Sequence, residues 1–215
     1  MTKIAEIFLS IAGEGSWMGR PAIFVRFSGC NLSCEWCDER HPAIDMEFGD
    51  VVSKVLNMSK TINRVVITGG EPLLQKSDCL SMVKIFVSSG YRTMIETNGT
   101  LINRLSPEEL RILKLCEVTV SPKKGHVSGN SIRAAMNLSS NFKFVVGCKS
   151  WSLEEVKEIV EKYGIPKEVV WLMPLTVEGK IEDKLAKEIW NFCVENGYNY
   201  SDRLHVRVWR NEKGK

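Results

Sequence analysis

Short runs of β-branched and aromatic residues recur along the chain, and amphipathic segments of helical length separate most of them. Such runs predict β-strands, because branched and aromatic side chains pack well on a pleated sheet. Strands that alternate with helices predict a parallel sheet of the α/β class. The predicted strands are residues 6–11, 22–27, 64–68, 93–96, 117–120, 141–146, 169–172 and 204–209.

Residues that favour helix ends lie between these runs. Ser106 and Ser152 each stand three residues before a glutamate, the spacing of a capping box at a helix N-terminus. Gly90, Gly164 and Gly197 each follow a helical pattern, where a left-handed residue ends many helices. These positions predict helices that alternate with the strands.

Polar, small or proline-containing loops directly follow four of the predicted strands. In a parallel α/β barrel, the active site lies at the carboxyl ends of the strands, so these loops should share one rim. Each loop could be a turn and nothing more, but four on one rim indicate a site. A closed eight-stranded barrel takes about 250 residues, so 215 residues favour an incomplete, TIM-like barrel. The loops are residues 69–72, 97–99, 121–123 and 173–176.

Composition narrows the class of protein. Hydrophobic residues make up 44% and charged residues 26%, as in ordinary globular domains. The net charge of +3, without clustered basic residues, does not indicate a nucleic-acid or membrane partner. No run approaches the roughly 18 apolar residues of a membrane span, and the N-terminus is typical of a strand rather than a signal peptide. We expect one domain, residues 1–215, in the cytoplasm, where thiols stay reduced.

Three of the seven cysteines are crowded into eight residues. Cys30, Cys34 and Cys37 have the spacing C-x3-C-x2-C and follow a predicted strand. Thiolates are soft ligands that suit iron–sulfur clusters and zinc. His41 lies four residues further on, so a zinc-stabilised binding module without catalysis is one interpretation. Three thiolates without a fourth cysteine favour another, a four-iron cluster with one iron open to a ligand.

The cysteine motif, with Trp36 before its last cysteine, resembles that of the radical S-adenosylmethionine (SAM) superfamily. The loop at 69–72 is similar to the GGEP motif of that superfamily. Within it, the chain resembles the 7-carboxy-7-deazaguanine synthase family over nearly its whole length. Generic radical SAM enzymes lack the opening segment of this family. The matching segments are residues 6–15, 19–30, 36–38 and 121–123, and His205 with Trp209.

The resemblance implies a lyase that converts 6-carboxy-5,6,7,8-tetrahydropterin to 7-carboxy-7-deazaguanine, a precursor in queuosine- or archaeosine-type tRNA modification. A [4Fe–4S] cluster would pass an electron to SAM, and the resulting 5′-deoxyadenosyl radical would take a hydrogen from C6 of the pterin. The ring would then contract with loss of ammonia. The resemblance also implies Mg²⁺, a flavodoxin- or ferredoxin-like reductant and a homodimer. A glycyl-radical-enzyme activase, or a radical SAM enzyme acting on a related substrate, is the alternative enzymatic interpretation.

The same resemblance assigns the rim loops to SAM. Glu96 and Asn98 would hold the ribose. The other implied contact positions are Trp36, Cys37, Asp38, Gly70, Glu71, Ser121, Pro122, Lys123, Met173, Pro174, Leu175 and Thr176.

A second group of positions is implied for the pterin. Arg26 lies in the predicted strand that leads into the cysteine motif. Its planar guanidinium matches a carboxylate, although a structural ion pair is the alternative. Glu14 would accept hydrogen bonds from ring N–H groups. A C-terminal segment, about 198–215, would close the substrate site. The implied substrate positions are Ile11, Ala12, Gly13, Glu14, Arg26, Thr68, His205 and Lys215.

Two positions depart from the family's pattern. The family usually has Gln where this chain has Ala12, which removes one side-chain contact to the pterin. It also usually has a Mg²⁺-binding Thr where this chain has Glu39. A carboxylate is a hard oxygen ligand that suits Mg²⁺, so we expect magnesium to bind through Glu39.

Overall fold

The chain folds around one nine-stranded sheet, seen in a computed structural model that describes residues 1–37, 42–138, 140–210, 212 and 214. A separate two-stranded ribbon lies near the C-terminus. The strands are β1 (Thr2–Ile11), β2 (Pro21–Phe27), β3 (Ile44–Met46), β4 (Arg64–Gly69), β5 (Arg92–Thr97), β6 (Glu117–Val120), β7 (Asn141–Val146), β8 (Val170–Pro174), β9 (Thr176–Val177), β10 (Lys180–Ile181) and β11 (Asn199–Tyr200).

The order of strands in the large sheet is β11-β8-β7-β6-β5-β4-β2-β1-β3. All neighbours from β2 to β11 are parallel, whereas β1 and β3 are antiparallel additions at one edge. Because only residues 12–20, with one 3₁₀ turn at Gly15–Trp17, connect β1 to β2, the connection is too short for a parallel crossover and the two strands pair as a hairpin. Within the described residues β3 and β11 do not pair with each other, so the barrel is open, as the chain length predicted.

Helices cover the outer face of the sheet, and the predicted capping boxes at Ser106 and Ser152 are both formed. Gly164 and Gly197 end their helices in the left-handed conformation, also as predicted. No helix in the described ranges is long and apolar enough to cross a membrane. The helices are α1 (Phe48–Met58), α2 (Lys76–Ser88), α3 (Pro107–Leu113), α4 (Gly129–Met136), α5 (Leu153–Tyr163), α6 (Asp183–Asn196) and α7 (Leu204–Trp209).

Alternation along the strands separates an apolar outer face from a polar interior. On β7, Phe142 and Phe144 belong to the main hydrophobic core. Lys143 between them and Val145 after them point to the concave side and line a cavity there. The main core therefore lies between the sheet and its helices, and the inside of the open barrel is left for a site.

The predicted strand at 204–209 is wrong, because this segment forms the helix α7. Its alternating apolar and polar residues favour a strand, but only Val206 is buried. The strand that contacts the segment, β10, is only two residues long and already pairs with β9. The backbone groups of the segment therefore bond within it, as the Arg207 N–H does to the carbonyl of Arg203. The Leu204 N–H donates to the Gly13 carbonyl at 3.0 Å and joins α7 to the loop after β1.

Candidate active site

A cavity of about 230 Å³ lies inside the open barrel, where the parallel strands end. It brings most of the predicted cluster, SAM and pterin positions onto one continuous surface. The predicted residues that line it are Ile11, Ala12, Gly13, Glu14, Arg26, Cys30, Cys34, Trp36, Cys37, Thr68, Gly70, Glu96, Asn98, Ser121, Lys123, Met173, Leu175 and His205.

Four predicted SAM positions are not among the lining residues: Glu71, Pro122, Pro174 and Thr176. Met173 and Pro174 still belong to β8 rather than to a loop. The predictions for Asp38, Glu39 and Lys215, and the zinc alternative through His41, lie outside the described residues.

The three motif cysteines lie on the loop that follows β2, and all of them face the cavity. The Cys37 N–H donates to the Cys34 carbonyl at 3.2 Å, which turns the loop so that both thiols reach the same side. Burial raises the pKa of the Cys34 thiol, while the ammonium of Lys123 favours its thiolate form. Three soft thiols on one wall fit an iron–sulfur cluster, in which each cysteine binds its own iron. Among the described residues no three His, Cys, Asp or Glu side chains converge as ligands of a single ion.

The glycines after β4 allow a close contact with the cluster loop. A Cβ atom on Gly69 would lie 2.1 Å from the Phe27 carbonyl oxygen, and one on Gly70 would lie 2.2 Å from that of Gly29. Gly69 also has φ of 139°, which side chains rarely permit. The backbone is fastened there by the Gly70 N–H, which donates to the Phe27 carbonyl at 3.1 Å. Only glycine lets this loop pack against the start of the cysteine motif.

The Glu71 side chain does not line the cavity but holds together the loops that do. Its carboxylate is fully buried and accepts hydrogen bonds from the Leu73 N–H, the Thr97 hydroxyl and the Asn98 N–H. Burial raises the pKa of Glu71, and these bonds oppose the rise. The Asn98 amide in turn donates to Asn31 in the cluster loop at 3.1 Å. Glu71 therefore joins the loops after β4 and β5 to the loop that carries the cysteines.

A chain of charged hydrogen bonds crosses the cavity wall from β4 to the C-terminal segment. The Thr68 hydroxyl donates to Glu96 at 2.9 Å, and the Lys143 Nζ contacts the other Glu96 oxygen, also at 2.9 Å. Lys143 also reaches Glu14 at 2.5 Å, and the second oxygen of Glu14 accepts from Arg203 Nε at 2.8 Å. Burial alone would raise the pKa of Glu14, but the cations around it hold that pKa well below its usual range.

Arg26 lines the cavity and is also in an ion pair. Its Nε donates to Glu6 at 2.7 Å, and its guanidinium lies 5.7 Å from the ring centre of Phe8. Phe8 stacks on Phe24 at 5.0 Å, and both rings line the same wall. The structural ion pair that the sequence left open is therefore present, and it fixes the guanidinium beside an aromatic surface.

His205 packs directly against the loop after β1. A Cβ atom on Gly13 would lie 2.1 Å from Nδ1 of the imidazole, so a larger residue has no room there. The main chain of Ala12 is paired within the protein, since its N–H donates to Arg20 and its carbonyl accepts from Gly19. The Ala12 methyl group packs in a small apolar cluster. Because the Ala12 carbonyl already accepts from Gly19, a backbone contact to the pterin would use the second lone pair of that carbonyl oxygen.

The sequence motifs missed two cations of this wall, Lys143 and Arg203. Lys143 had a detectable signal, because it is a charged residue inside an otherwise apolar predicted strand. Arg203 lies in an irregular segment, where nothing in the local pattern distinguishes it. The apolar residues that line the cavity and were also missed are Phe8, Trp17, Phe24, Leu32, Val66, Met94 and Val145.

Known proteins are similar to this chain in sequence and in fold. The sequence model of the Radical SAM superfamily matches residues 24–188. A 7-carboxy-7-deazaguanine synthase from Pyrobaculum aerophilum is 33% identical, over 99% of this chain and 97% of the relative. Another from Hyperthermus butylicus is 37% identical, over 96% and 92%. The crystal structure of QueE from Escherichia coli has the same fold, with a TM-score of 0.71 at 24% identity, over 95% of this chain and 94% of that one.

Proposed function

The chain belongs to the radical SAM superfamily and, within it, to the 7-carboxy-7-deazaguanine synthase family, and from this membership we propose its reaction. It converts 6-carboxy-5,6,7,8-tetrahydropterin to 7-carboxy-7-deazaguanine and ammonia, a step towards the deazapurine bases of modified tRNA. Loss of ammonia balances the atoms, so the overall reaction consumes no oxidant. The observation that carries the proposal is a similarity that covers almost the whole chain, cluster loop and substrate wall included.

Cys30, Cys34 and Cys37 hold a [4Fe–4S] cluster, and the cavity in front of them receives SAM. When bound, the cluster supplies the electron that cleaves SAM to the radical that starts the reaction. The protein positions the two molecules and keeps water away from them. On the SAM side the cavity presents Gly70, the Lys123 ammonium and the wall formed by Val145, Met173, Leu175 and Trp36.

The pterin lies further inside the barrel, between Arg26 and His205. Thr68 and Glu14 give this region oxygen acceptors. Glu96, which the resemblance assigns to the SAM ribose, is bonded to Thr68 and Lys143, and we propose that it adds an acceptor on the pterin side instead. Acceptors in a row suit the ring N–H and amino groups of a pterin, which are hydrogen-bond donors. A guanidinium suits its carboxylate, because the planar fork matches two carboxylate oxygens.

The C-terminal segment, about 198–215, closes the substrate site in this proposal. Arg203 reaches Glu14, and the Ser201 hydroxyl accepts from the Gly15 N–H at 2.8 Å. These contacts pull the segment onto the loop after β1, across the open side of the barrel. Lys215, at the end of the segment, would approach the same substrate.

Magnesium is proposed to bind through Glu39 in place of the family's usual Thr, since carboxylate oxygen is a preferred ligand of this ion. Replacement of Glu39 by Ala should then raise the Mg²⁺ concentration needed for half-maximal activity. Turnover unaffected both by EDTA and by Glu39→Ala would contradict this assignment.

Three further features are proposed from family membership. A flavodoxin- or ferredoxin-like protein supplies the electron, the chain forms a homodimer, and it works in the cytoplasm. Size-exclusion chromatography with light scattering tests the dimer, and a strictly monomeric holoenzyme with full activity would contradict it.

The reaction itself is tested by anaerobic turnover. Iron- and sulfide-reconstituted protein is mixed with SAM, Mg²⁺, dithionite and carboxytetrahydropterin, and the products are identified by mass spectrometry. The expected product is 7-carboxy-7-deazaguanine. Formation of 5′-deoxyadenosine without it would retain radical chemistry but reject the substrate. A colourless protein with stoichiometric zinc and no absorbance near 400 nm would reject both.

A further inference from the structure

Lys143 is a buried cation on the cavity wall, and it belongs to none of the radical SAM sequence motifs of this chain. Only 5% of its side chain is exposed, and its Nζ contacts both Glu14 and Glu96. We propose that Lys143 is a positioning residue, which holds these two carboxylates towards the cavity as hydrogen-bond acceptors for the substrate. The inference deepens the proposed function and rests on it for the identity of that substrate.

The chemistry of Lys143 and its partners determines which atoms donate and which accept. An ammonium can only donate, and a carboxylate can only accept while it is ionised. Lys143 therefore fixes one oxygen of Glu14 and one of Glu96 on the same nitrogen, at 2.5 Å and 2.9 Å. The remaining lone pairs of these oxygens are acceptors and nothing else.

Thr68 and Arg203, at the two ends of this chain of hydrogen bonds, also donate to the two carboxylates. The Thr68 hydroxyl donates its proton to Glu96, so towards the cavity its oxygen presents only lone pairs. Arg203 occupies the far oxygen of Glu14 and anchors itself through Nη1 to the Thr176 hydroxyl at 2.5 Å. Lys143 is the central link, because among the residues that the structure describes it is the side chain that bonds to both carboxylates. A substrate edge that meets these oxygens must consist of donors.

The charges around Glu14 explain why Lys143 is needed there. Glu14 faces Lys143 from β7, Arg203 and His205 from the C-terminal segment, and it shares Lys143 with Glu96 from β5. Burial would lower the pKa of Lys143, but the two carboxylates raise it overall, so the ammonium stays charged. Without that charge, two carboxylates would compete in a buried site, and at least one would take up a proton.

A purely structural ion pair is the competing explanation, and it makes a different prediction. Loss of a structural pair lowers the free energy of unfolding but leaves substrate affinity unchanged in the protein that remains folded. Loss of a positioning residue weakens substrate binding, and more so at low pH, where Glu14 becomes protonated and can no longer accept.

The test compares Lys143→Met with Lys143→Gln and Lys143→Arg in the cluster-loaded enzyme. Lys143→Gln keeps an N–H donor without the charge, and it serves also if the Met variant does not fold. The matched control is Lys124→Met, which removes a lysine–glutamate pair outside the cavity. The measurements are KM and kcat for carboxytetrahydropterin from pH 6 to 9.

For Lys143→Met and Lys143→Gln we expect KM to rise roughly 10- to 100-fold at neutral pH, the usual effect of losing a charged hydrogen bond. The rise should be larger at pH 6 than at pH 9, and kcat should change less than KM. Lys143→Arg should recover most of the affinity, and Lys124→Met should match the parent enzyme. A KM equal to that of the parent and independent of pH, in either uncharged variant, would overturn the proposal.

A measurement without substrate separates this inference from the proposed function. Glutamate carboxyl carbons are labelled with ¹³C, and Glu14→Gln assigns the Glu14 signal. Its titration should move to higher pH in Lys143→Met and return in Lys143→Arg. If the parent enzyme makes no deazaguanine, the proposed function fails. If the Glu14 titration does not move in Lys143→Met, the role of Lys143 fails, whatever the parent enzyme makes.

Discussion

Two neighbouring glutamates inside the barrel, Glu14 and Glu117, each accept several hydrogen bonds, yet the two sites differ in kind. At the amino ends of the strands, Glu117 accepts from Ser16, from the Trp17 indole and from Asn141. All three donors are neutral, and Glu117 does not line the cavity. Glu14 comes from the same loop as Ser16 and Trp17 but reaches Lys143, two residues further along β7 than Asn141. Its partners are cations, and its carboxylate does line the cavity.

The difference shows how an open barrel divides its polar residues between structure and chemistry. Trp17 forms part of the cavity floor, and its indole is tied to Glu117 beneath it, so the lower network closes the base. The upper network keeps charges on a surface that a ligand can reach. Neutral donors around a carboxylate satisfy it locally, whereas cations keep it ionised and able to accept more.

The largest expected effect comes from removing a cluster thiol. Cys34→Ala should abolish iron binding at the motif and SAM cleavage, because three thiolates are needed to hold the cluster. The matched control is Cys148→Ala, which removes an exposed cysteine outside the motif. Iron content, absorbance near 400 nm and 5′-deoxyadenosine are measured. Equal iron and equal cleavage in Cys34→Ala would refute the assignment of the motif.

The two glutamates can be compared directly by the same substitution. Glu14→Gln should raise KM for the pterin roughly 10- to 100-fold, because a charged acceptor is lost on the cavity wall. Glu117→Gln should leave KM unchanged and lower the free energy of unfolding by about 1–3 kcal/mol, because the amide turns a donor towards donors. Kinetics and urea denaturation are measured for both variants. Interchanged results would reverse the roles assigned to the two glutamates.

These contrasts also mark what the sequence could predict. The sheet, its seven interior strands up to residue 172 and both capping boxes follow from local patterns, since alternation and caps are read over a few residues. The cysteine loop and the glycine loop after β4 were recognisable for the same reason. The chain of hydrogen bonds through Lys143 and Arg203 could not be predicted in this way, because it joins residues up to 189 positions apart, such as Glu14 and Arg203.

The helix α7 shows a second limit of local patterns. Its alternating sequence predicts a strand, but a strand forms only where a neighbouring edge can pair with it. In this fold β11 is only two residues long, and the chain turns away after Tyr200 towards Gly13. Tertiary position, rather than the local pattern, decided the structure of the segment that carries His205.

A smaller change sharpens the contact between the two chain ends. Gly13→Ala should displace the His205 imidazole, because the added methyl carbon would overlap Nδ1. We expect KM for the pterin to rise by roughly 3- to 30-fold, the loss of one hydrogen bond with a neutral or weakly charged partner. The control is Gly49→Ala in α1, where a Cβ meets no other atom within 4 Å. Should Gly13→Ala behave like this control, His205 would have no role in binding.

The smallest expected effect is the pH dependence of stability that Glu14 confers. Lys143, Arg203 and His205 hold the pKa of Glu14 well below its ordinary value of 4.5, although burial opposes them. A carboxyl whose pKa is lowered by folding stabilises the protein above the unfolded-state pKa, and this contribution disappears as the pH falls through the folded-state value. The difference in free energy of unfolding between the parent and Glu14→Gln should therefore be constant from pH 8 to about 5 and shrink below about 4.5. Urea denaturation at each pH measures it. A difference that stays level down to pH 3 would mean that the cations do not act on Glu14, and the contrast between Glu14 and Glu117 would lose its electrostatic basis.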